Sequence, residues 1–309
     1  MKVLVTGGAG FIGTNLVKLL LDQGYYVRVL DDFSAGQKEY LADLDVQVVE
    51  GDVRDTDAVA AALVGMSGVV HLAAQAGGVP SSLQDPRRDC EVNFIGTLNL
   101  LEACRHAGVG RFIFASSNAP LGRQQPPATE DKAPLPISPY GAGKLAGEGY
   151  CLAYYGSWGL GTMVLRFANV YGPYSAHKHN VIARFFRDIL TTGRITVDGD
   201  GRQTRDFIYT GDLCRAILLA LESDVGGEVF QIATGVETSI LALVGMMQKV
   251  ADRPVEVVYG PGRQGDIRQN YSAVGKARAI LGWEPRVALH RGLELTWDWT
   301  RQQDARRWL

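Results

Sequence analysis

Short apolar runs alternate with stretches of helical period through the first half of the chain. Lys2–Thr6 (KVLVT), rich in β-branched residues, predicts a strand, and a helical pattern follows through Asn15–Gln23. Tyr26–Leu30 (YVRVL), Val46–Glu50, Ser67–Leu72 (SGVVHL) and Arg111–Ala115 (RFIFA) predict further strands, with a helix over Glu91–His106. Strand alternates with helix at about 30-residue spacing, which argues for an α/β fold with a doubly wound parallel sheet. From about Leu165 the alternation loosens and the loops lengthen. That change predicts a smaller C-terminal substrate-binding subdomain over 166–309, after a first domain over 1–165 to which some later strands and helices return. Within the second part, Phe230–Gly235 predicts a strand and turn, Leu241–Ala251 an apolar helix, and Lys276–Leu281 a helix closed by Gly282.

Composition narrows the class without naming a chemistry. The 309 residues are 46% hydrophobic and 21% charged, with a formal net charge of −2 and a pI near 6.2. These values suit a globular protein and offer no basic field for nucleic acid or an acidic membrane. No stretch approaches the roughly 20 apolar residues of a membrane span. The N-terminus enters a strand and a glycine-rich loop at once, unlike a secretory leader. Cys90, Cys104, Cys151 and Cys214 are scattered without metal-ligand spacing, so they are expected to be reduced and mostly buried, with no metal site. A cytoplasmic protein is expected.

Chemistry enters at the strand ends. The first predicted strand runs into Gly7-Gly8-Ala9-Gly10-Phe11-Ile12-Gly13 and then a helix. Glycine there permits a tight turn and close approach of backbone to a pyrophosphate, which sits at the helix N-terminus. This is the Rossmann arrangement. Asp31 ends the second strand about 20 residues on, where a carboxylate binds adenosine ribose hydroxyls and favours NAD over NADP. Asp52 follows the third strand within reach of an adenine, and the small Ala73 and Ala74 after the fourth leave room for a cofactor. Downstream, Ser138-Pro139-Tyr140-Gly141-Ala142-Gly143-Lys144 reads as an N-capped helix start with Tyr140 and Lys144 on one face. An ammonium beside the phenol is expected to lower its pKa from about 10 towards the range of a general base. Alone, tyrosine and lysine at this spacing equally describe a half-buried helix face; the glycine loop upstream makes the catalytic reading the stronger.

Together with GDVRD after the third strand, HLAAQ, the Asn93–Thr97 N-x-x-G-T pattern, Ser116-Ser117 and YGAGK, these pieces resemble the extended short-chain dehydrogenase/reductase family. Its members are sugar-nucleotide epimerases, dehydratases and decarboxylases. The similarity continues through Leu165–Pro173, Gly199–Asp206 and Arg263–Asp266, from Met1 to about Leu293. The resemblance implies bound NAD, held by Gly7, Gly10, Phe11, Ile12, Gly13, Asp31, Asp52, Val53, Ala73, Ala74, Asn93, Tyr140 and Lys144. It implies transient oxidation of a sugar, usually at carbon 4. Tyr140 would take the hydroxyl proton, Ser117 would hydrogen-bond the same oxygen, and Lys144 would hold the cofactor ribose. It also places Asn169 at the nucleotide sugar, Arg205 and Arg263 beside its diphosphate, and Asp266 near its ribose. Relatives pair the Glu91–His106 and Tyr140 helices into a dimer interface, so a homodimer is expected.

The residues after Ser117 discriminate among reactions. The 4,6-dehydratases of the family carry an Asp-Glu pair there, and the UDP-glucuronate decarboxylases typically carry a glutamate. This chain has Asn118 and Ala119, neither of which can ionise or transfer a proton. The expected reaction is therefore UDP-sugar 4-epimerisation, with a dehydratase of another type or a non-catalytic nucleotide-sugar-binding protein as alternatives. Other departures from the family pattern are Pro120-Leu121-Gly122 after the serine region, Gly143 where a serine is usual, and Asn270 where some epimerases have a bulky tyrosine. His177, Lys178 and His179 form a basic loop that is either solvated or set to meet a substrate carboxylate. Glucose/galactose, N-acetylhexosamine and hexuronate substrates all stay open.

Overall fold

The predicted strands assemble into a single parallel sheet in a computed structural model that describes residues 1–175, 178, 180–262 and 267–303. In chain order the strands are β1 (Lys2–Thr6), β2 (Tyr26–Asp31), β3 (Gln47–Glu50), β4 (Gly68–His71), β5 (Arg111–Ser117), β6 (Gly161–Phe167), β7 (Asn169–Tyr171), β8 (Arg194–Asp198), β9 (Thr204–Arg205), β10 (Phe207–Tyr209), β11 (Glu228–Ile232), β12 (Thr238–Ser239) and β13 (Glu256–Gly260). Seven of them form the sheet in the order β11-β6-β5-β4-β1-β2-β3. The chain starts in the middle at β1, runs out to β3, and crosses back to lay β4 against the other side of β1. That reversal opens a crevice at the carboxyl ends of β1 and β4, the place where open α/β sheets bind ligands.

Alternation along each strand explains why both faces are covered. Val3 and Val5 point into one core while Leu4 points into the other; Ile113 and Ala115 divide from Phe112 and Phe114 in the same way. The first face packs on α1 (Phe11–Asp22), with Leu16, Val17 and Leu20 buried. The second packs on α2 (Thr56–Leu63), through Val59, Ala62 and Leu63. Two short helices follow, α3 (Val79–Gln84) and α4 (Pro86–Cys90), then α5 (Gly96–Ala107) and α6 (Pro139–Trp158). Each fully buried Leu or Phe in these layers contributes about 1.5–3 kcal/mol of hydrophobic free energy.

A separate core lies beyond β6. It gathers Tyr171, Phe185, Phe186, Ile195, Val197, Leu243, Met247 and Trp297 from β7, β8 and three helices: α7 (Val181–Thr191), α9 (Ile240–Ala251) and α11 (Leu289–Thr300). Two other helices, α8 (Thr210–Glu222) and α10 (Gly275–Leu281), return to the first core, as do β6 and β11 to the main sheet.

Two element boundaries differ from the sequence pattern. α1 begins at Phe11, because extended Gly10 already serves as its N-cap. The Glu91–His106 segment starts as a wider π turn over Glu91–Ile95 before α5, and that turn carries fully buried Asn93 inward. Cys104, Cys151 and Cys214 are buried, whereas Cys90 is exposed. Among the described residues no helix is long and apolar enough to cross a membrane.

Candidate active site

The crevice between β1 and β4 holds a cleft of about 660 Å³, counting its open mouth. Its floor is the glycine loop. Gly7 has φ +69°, and a Cβ there would fall 2.8 Å from the Ala73 backbone nitrogen. At Gly13 a Cβ would fall 2.2 Å from the Gly7 carbonyl oxygen, so loop and helix can close only on glycine. Gly10 caps α1 without a side chain, which leaves first-turn N–H groups, those of Phe11 and Ile12 included, to an anion. The cradle fits the pyrophosphate of a dinucleotide.

Asp31 lines the same cleft. Its carboxylate accepts from the Ala9 and Phe33 N–H groups, both at 2.9 Å. Burial raises its pKa, offset by those two N–H donors and by the charge of Lys178. Asp52 and Val53 form the adjoining wall with Ala73 and Ala74. The Asp52 carboxylate is already gripped by Arg54, at 2.6 Å to its Nη2, and the guanidinium holds its pKa low. Asn93 is fully buried, donating to Asp89 at 2.7 Å and accepting at 3.0 Å from the N–H of Gln75, a residue of the cleft wall, so it braces the end of β4.

Ser117, Tyr140 and Lys144 converge at the carboxyl end of β5. Ser138 caps α6, accepting from the Gly141 N–H at 3.1 Å, and Pro139 opens the first turn. Glu148, one turn beyond Lys144, is fixed between Arg166 at 2.6 Å and Ser116 at 2.5 Å, locking α6 onto β5 and β6. Ser117 hydrogen-bonds the half-buried Tyr140 phenol. Lys144 is 2% exposed. Its ammonium donates to the Ala115 carbonyl at 2.9 Å and lies 4.9 Å from the centre of the Phe114 ring.

The electrostatics reverse one expectation. Burial pushes the Tyr140 phenol up to about 12, against a smaller downward pull from Ser117. Lys144 does not offset this: its ammonium is 6.0 Å from the phenol ring centre and is committed to Ala115. Burial draws Lys144 itself down to about 8. In the protein alone, desolvation outweighs the lysine's attraction for a phenolate.

Past Ser117 along the chain a second cavity, about 310 Å³ counting its open mouth, is lined by Asn118, Leu121, Gly122, Gln124, Gln125, Pro126, Ala128, Ile267, Gln269, Asn270 and Tyr271. Two departures from the family pattern, Asn118 and Asn270, meet here. Asn118 donates to Ser272 at 3.0 Å and approaches Asn270 at 3.4 Å. Its Oδ1 has no hydrogen-bond partner among the described residues. Ala128 is stitched to Tyr271 and Ala273 by backbone bonds of 2.8 Å, closing the loop pair. Arg205 donates to the Ile267 carbonyl at 2.7 Å, so it stands at the edge of this cavity. Asn169 is exposed in β7, its N–H on the Asp206 carbonyl at 3.0 Å. Arg263, Asp266, His177 and His179 lie outside the described residues.

Lys178 is the residue whose place the sequence misjudges. It faces neither solvent nor a sugar but lines the dinucleotide cleft opposite Asp31. The loop before it is pinned: Pro173 accepts from Asn15 at 3.0 Å, and Tyr174 packs on Tyr40 and Trp299 with ring centres 5.0 and 5.1 Å away. Gln75 and Arg88, bonded to each other at 3.1 Å, also line the cleft unforeseen.

Comparison with known proteins agrees with this geometry. Residues 3–233 match the NAD dependent epimerase/dehydratase family. A UDP-glucose 4-epimerase from Mycolicibacterium smegmatis is 38% identical, with 98% of this chain and 99% of the relative covered. A dTDP-glucose 4,6-dehydratase from Streptomyces niveus is 34% identical over 100% of this chain and 94% of its own. The crystal structure of UDP-glucose 4-epimerase from Thermotoga maritima with UDP-glucose superposes with a TM-score of 0.93 at 38% identity, covering 98% of this chain and 99% of that one. The chain is an enzyme of the NAD-dependent epimerase/dehydratase family, with NAD as its cofactor and the Rossmann sheet to hold it.

Proposed function

We propose that the protein is a UDP-sugar 4-epimerase. The observation that carries this reading is the chemistry of the cavity beyond Ser117. No carboxylate and no histidine stands among its described lining residues, and Asn118 and Ala119, directly after Ser117, carry no ionisable group where the family's dehydratases carry their acid and base. Proton transfer at one sugar hydroxyl remains, and Ser117 and Tyr140 supply it. NAD, held in the cleft by the glycine loop and Asp31, would supply the reversible hydride acceptor. Tyr140 takes the proton from the carbon-4 hydroxyl and gives it back after the keto sugar has turned over in the site. Ser117 holds that oxygen, and Lys144 keeps the cofactor ribose and the phenol in register. Asn169, Arg205, Arg263 and Asp266 hold the uridine diphosphate. A lining of neutral amides (Asn118, Gln124, Gln269, Asn270) favours a neutral hexose or N-acetylhexosamine over a hexuronate.

The test is incubation of the purified protein with UDP-glucose, UDP-N-acetylglucosamine and UDP-glucuronate, followed by chromatography with mass detection. The expected result is a new peak of unchanged mass with one of the first two. A product lighter by one water or by carbon dioxide would overturn the reading. We further infer a homodimer, supported by Ile95, Tyr150 and Leu152, which stay exposed beside or on α5 and α6. Light scattering at the mass of one chain would refute it.

A further inference from the structure

The cofactor cleft holds two cations among its described lining residues, Lys178 and Arg88. The charge of Lys178 bears on Asp31. Arg88 has no such counterpart. Asp52, an acid in the same lining, is already taken by Arg54, whose Nε and Nη2 stand 3.0 and 2.6 Å from its carboxylate. Among the described residues Arg88 forms no ion pair, and neither of its Nη atoms donates a hydrogen bond.

The rest of this arginine is firmly mounted. Asp85 caps α4 by accepting from the Arg88 N–H at 3.0 Å, with Pro86 in the first turn. The Arg88 Nε donates to the Gln75 side chain at 3.1 Å. Gln75 is itself held: its N–H donates to Asn93 at 3.0 Å, and Asn93 donates in turn to buried Asp89 at 2.7 Å. Backbone and Nε are thereby fixed before any ligand arrives, and the outer N–H groups of the guanidinium are the part left to bind. A planar fork whose orientation is set in advance suits a phosphate, which it grips through two parallel bonds.

The cofactor brings that phosphate into the same cleft. Gly7 and Gly10 line it together with Arg88, and the uncapped start of α1 offers N–H groups to the pyrophosphate of NAD. Those groups are neutral dipoles, whereas a pyrophosphate is negatively charged at both phosphates. The first turn of α1, Phe11-Ile12-Gly13-Thr14, brings no cation of its own. We propose that Arg88 is a cofactor-binding residue that clamps the NAD pyrophosphate from the α4 side of the cleft, with Gln75 as the residue that positions it. The phosphates are then held between the neutral N–H groups of α1 and one fixed guanidinium. The inference concerns binding alone and stands apart from the reaction proposed above.

The experiment follows exchange of bound NAD for isotopically labelled NAD in the loaded protein, by mass detection, at low and at high salt. Arg88→Met should speed release by about ten- to a hundredfold, the range for hydrogen bonds to a charged group. It should also flatten the dependence of release on salt, since an ionic contact is what salt screens. Arg88→Lys keeps the charge and loses the fork, so its rate should fall between those of the wild type and Arg88→Met. Gln75→Met leaves the guanidinium but frees its Nε, and should speed release by a smaller factor than Arg88→Met. Release from Arg88→Met at the wild-type rate would overturn the proposal. So would faster release with the salt dependence intact and no recovery in Arg88→Lys, the pattern of a loosened α4 or of a guanidinium stacked on adenine. A wild-type rate in Gln75→Met would overturn the positioning role of Gln75.

Discussion

The cofactor cleft and the cavity lined by Asn118 and Asn270 are built in opposite ways. The cleft is backbone held by short-range units: strand, glycine loop, helix, then an acid at the next strand end. Its tolerances are tight, with Cβ positions at Gly7 and Gly13 already occupied by neighbouring backbone. The cavity is side chains on two loops far apart in sequence, the segment after Ser117 and the segment around Asn270, joined by a few hydrogen bonds. One region fixes a cofactor and leaves little to vary; the other, under the proposed function, would change substrate by exchanging amides. The proposed chemistry sits apart from both linings, on Ser117 of β5 and on Tyr140 and Lys144 of α6, which form the seam.

Removing the seam should give the largest effect. Tyr140→Phe deletes the proton acceptor without touching either pocket. Turnover should fall by about 10²–10⁴-fold, while NAD bound per chain, read by absorbance after denaturation, stays at the wild-type value. Next comes the rigid region. Gly13→Ala forces a methyl into the Gly7 carbonyl, and overpacking of this kind costs about 3 kcal/mol. The protein should purify without NAD and melt earlier by calorimetry. If Gly13→Ala retained cofactor, the contrast in tolerance between the two regions would be lost.

That contrast also decides what was legible in the sequence. The strands β1 to β5, the loop at Gly7–Gly13, Asp31 and the capped start of α6 could be read because each is a local pattern of apolar period, glycine and cap. Ser117, Tyr140 and Lys144 converge because two such local units end at one edge of the sheet. Lys178 could not be placed this way. Its contact with the Asp31 cleft joins distant parts of the chain through Tyr174, Tyr40 and Trp299, and no local period encodes that. The sequence position of Asn93 carries no sign that its amide is buried against Asp89 and the Gln75 N–H, since a pattern marks a position and not the direction of its side chain. The sign of the Tyr140 shift was misjudged for a related reason. Spacing puts a lysine near a phenol, but burial of both, which only the folded core provides, decides which influence wins.

The loop-built cavity should respond in specificity and not in cofactor. Asn270→Tyr would fill the cavity beside Asn118, so kcat/KM for UDP-N-acetylglucosamine should drop relative to UDP-glucose by about tenfold, a typical discrimination from added bulk in a pocket. Bound NAD should not change. Lys178→Met makes the reciprocal test: dissociation of NAD, followed by calorimetric titration of the stripped protein, should tighten or weaken with the lysine alone. The expected outcome is weakening by about tenfold, the scale of one hydrogen bond to a charged group, with the ratio between the two sugars untouched. A change in that ratio would move Lys178 back to the substrate side.

Gly143→Ser is the mildest change and bears on the seam itself. Glycine inside a helix costs up to about 1 kcal/mol relative to a side-chain-bearing residue. Here the added Cβ meets Asp89 Oδ2 at 3.4 Å and the Asn93 Cβ at 3.5 Å, ordinary contacts that require no shift of backbone. The serine hydroxyl would then donate to the carboxylate oxygen that has no partner, and satisfying a buried acceptor adds stability of its own. The midpoint of thermal unfolding should therefore rise, by about 1 kcal/mol in stability. A glycine at this position would then leave a buried acid uncapped that a side chain could satisfy. A melting temperature no higher than that of the wild type would mean that the added hydroxyl does not reach the open oxygen.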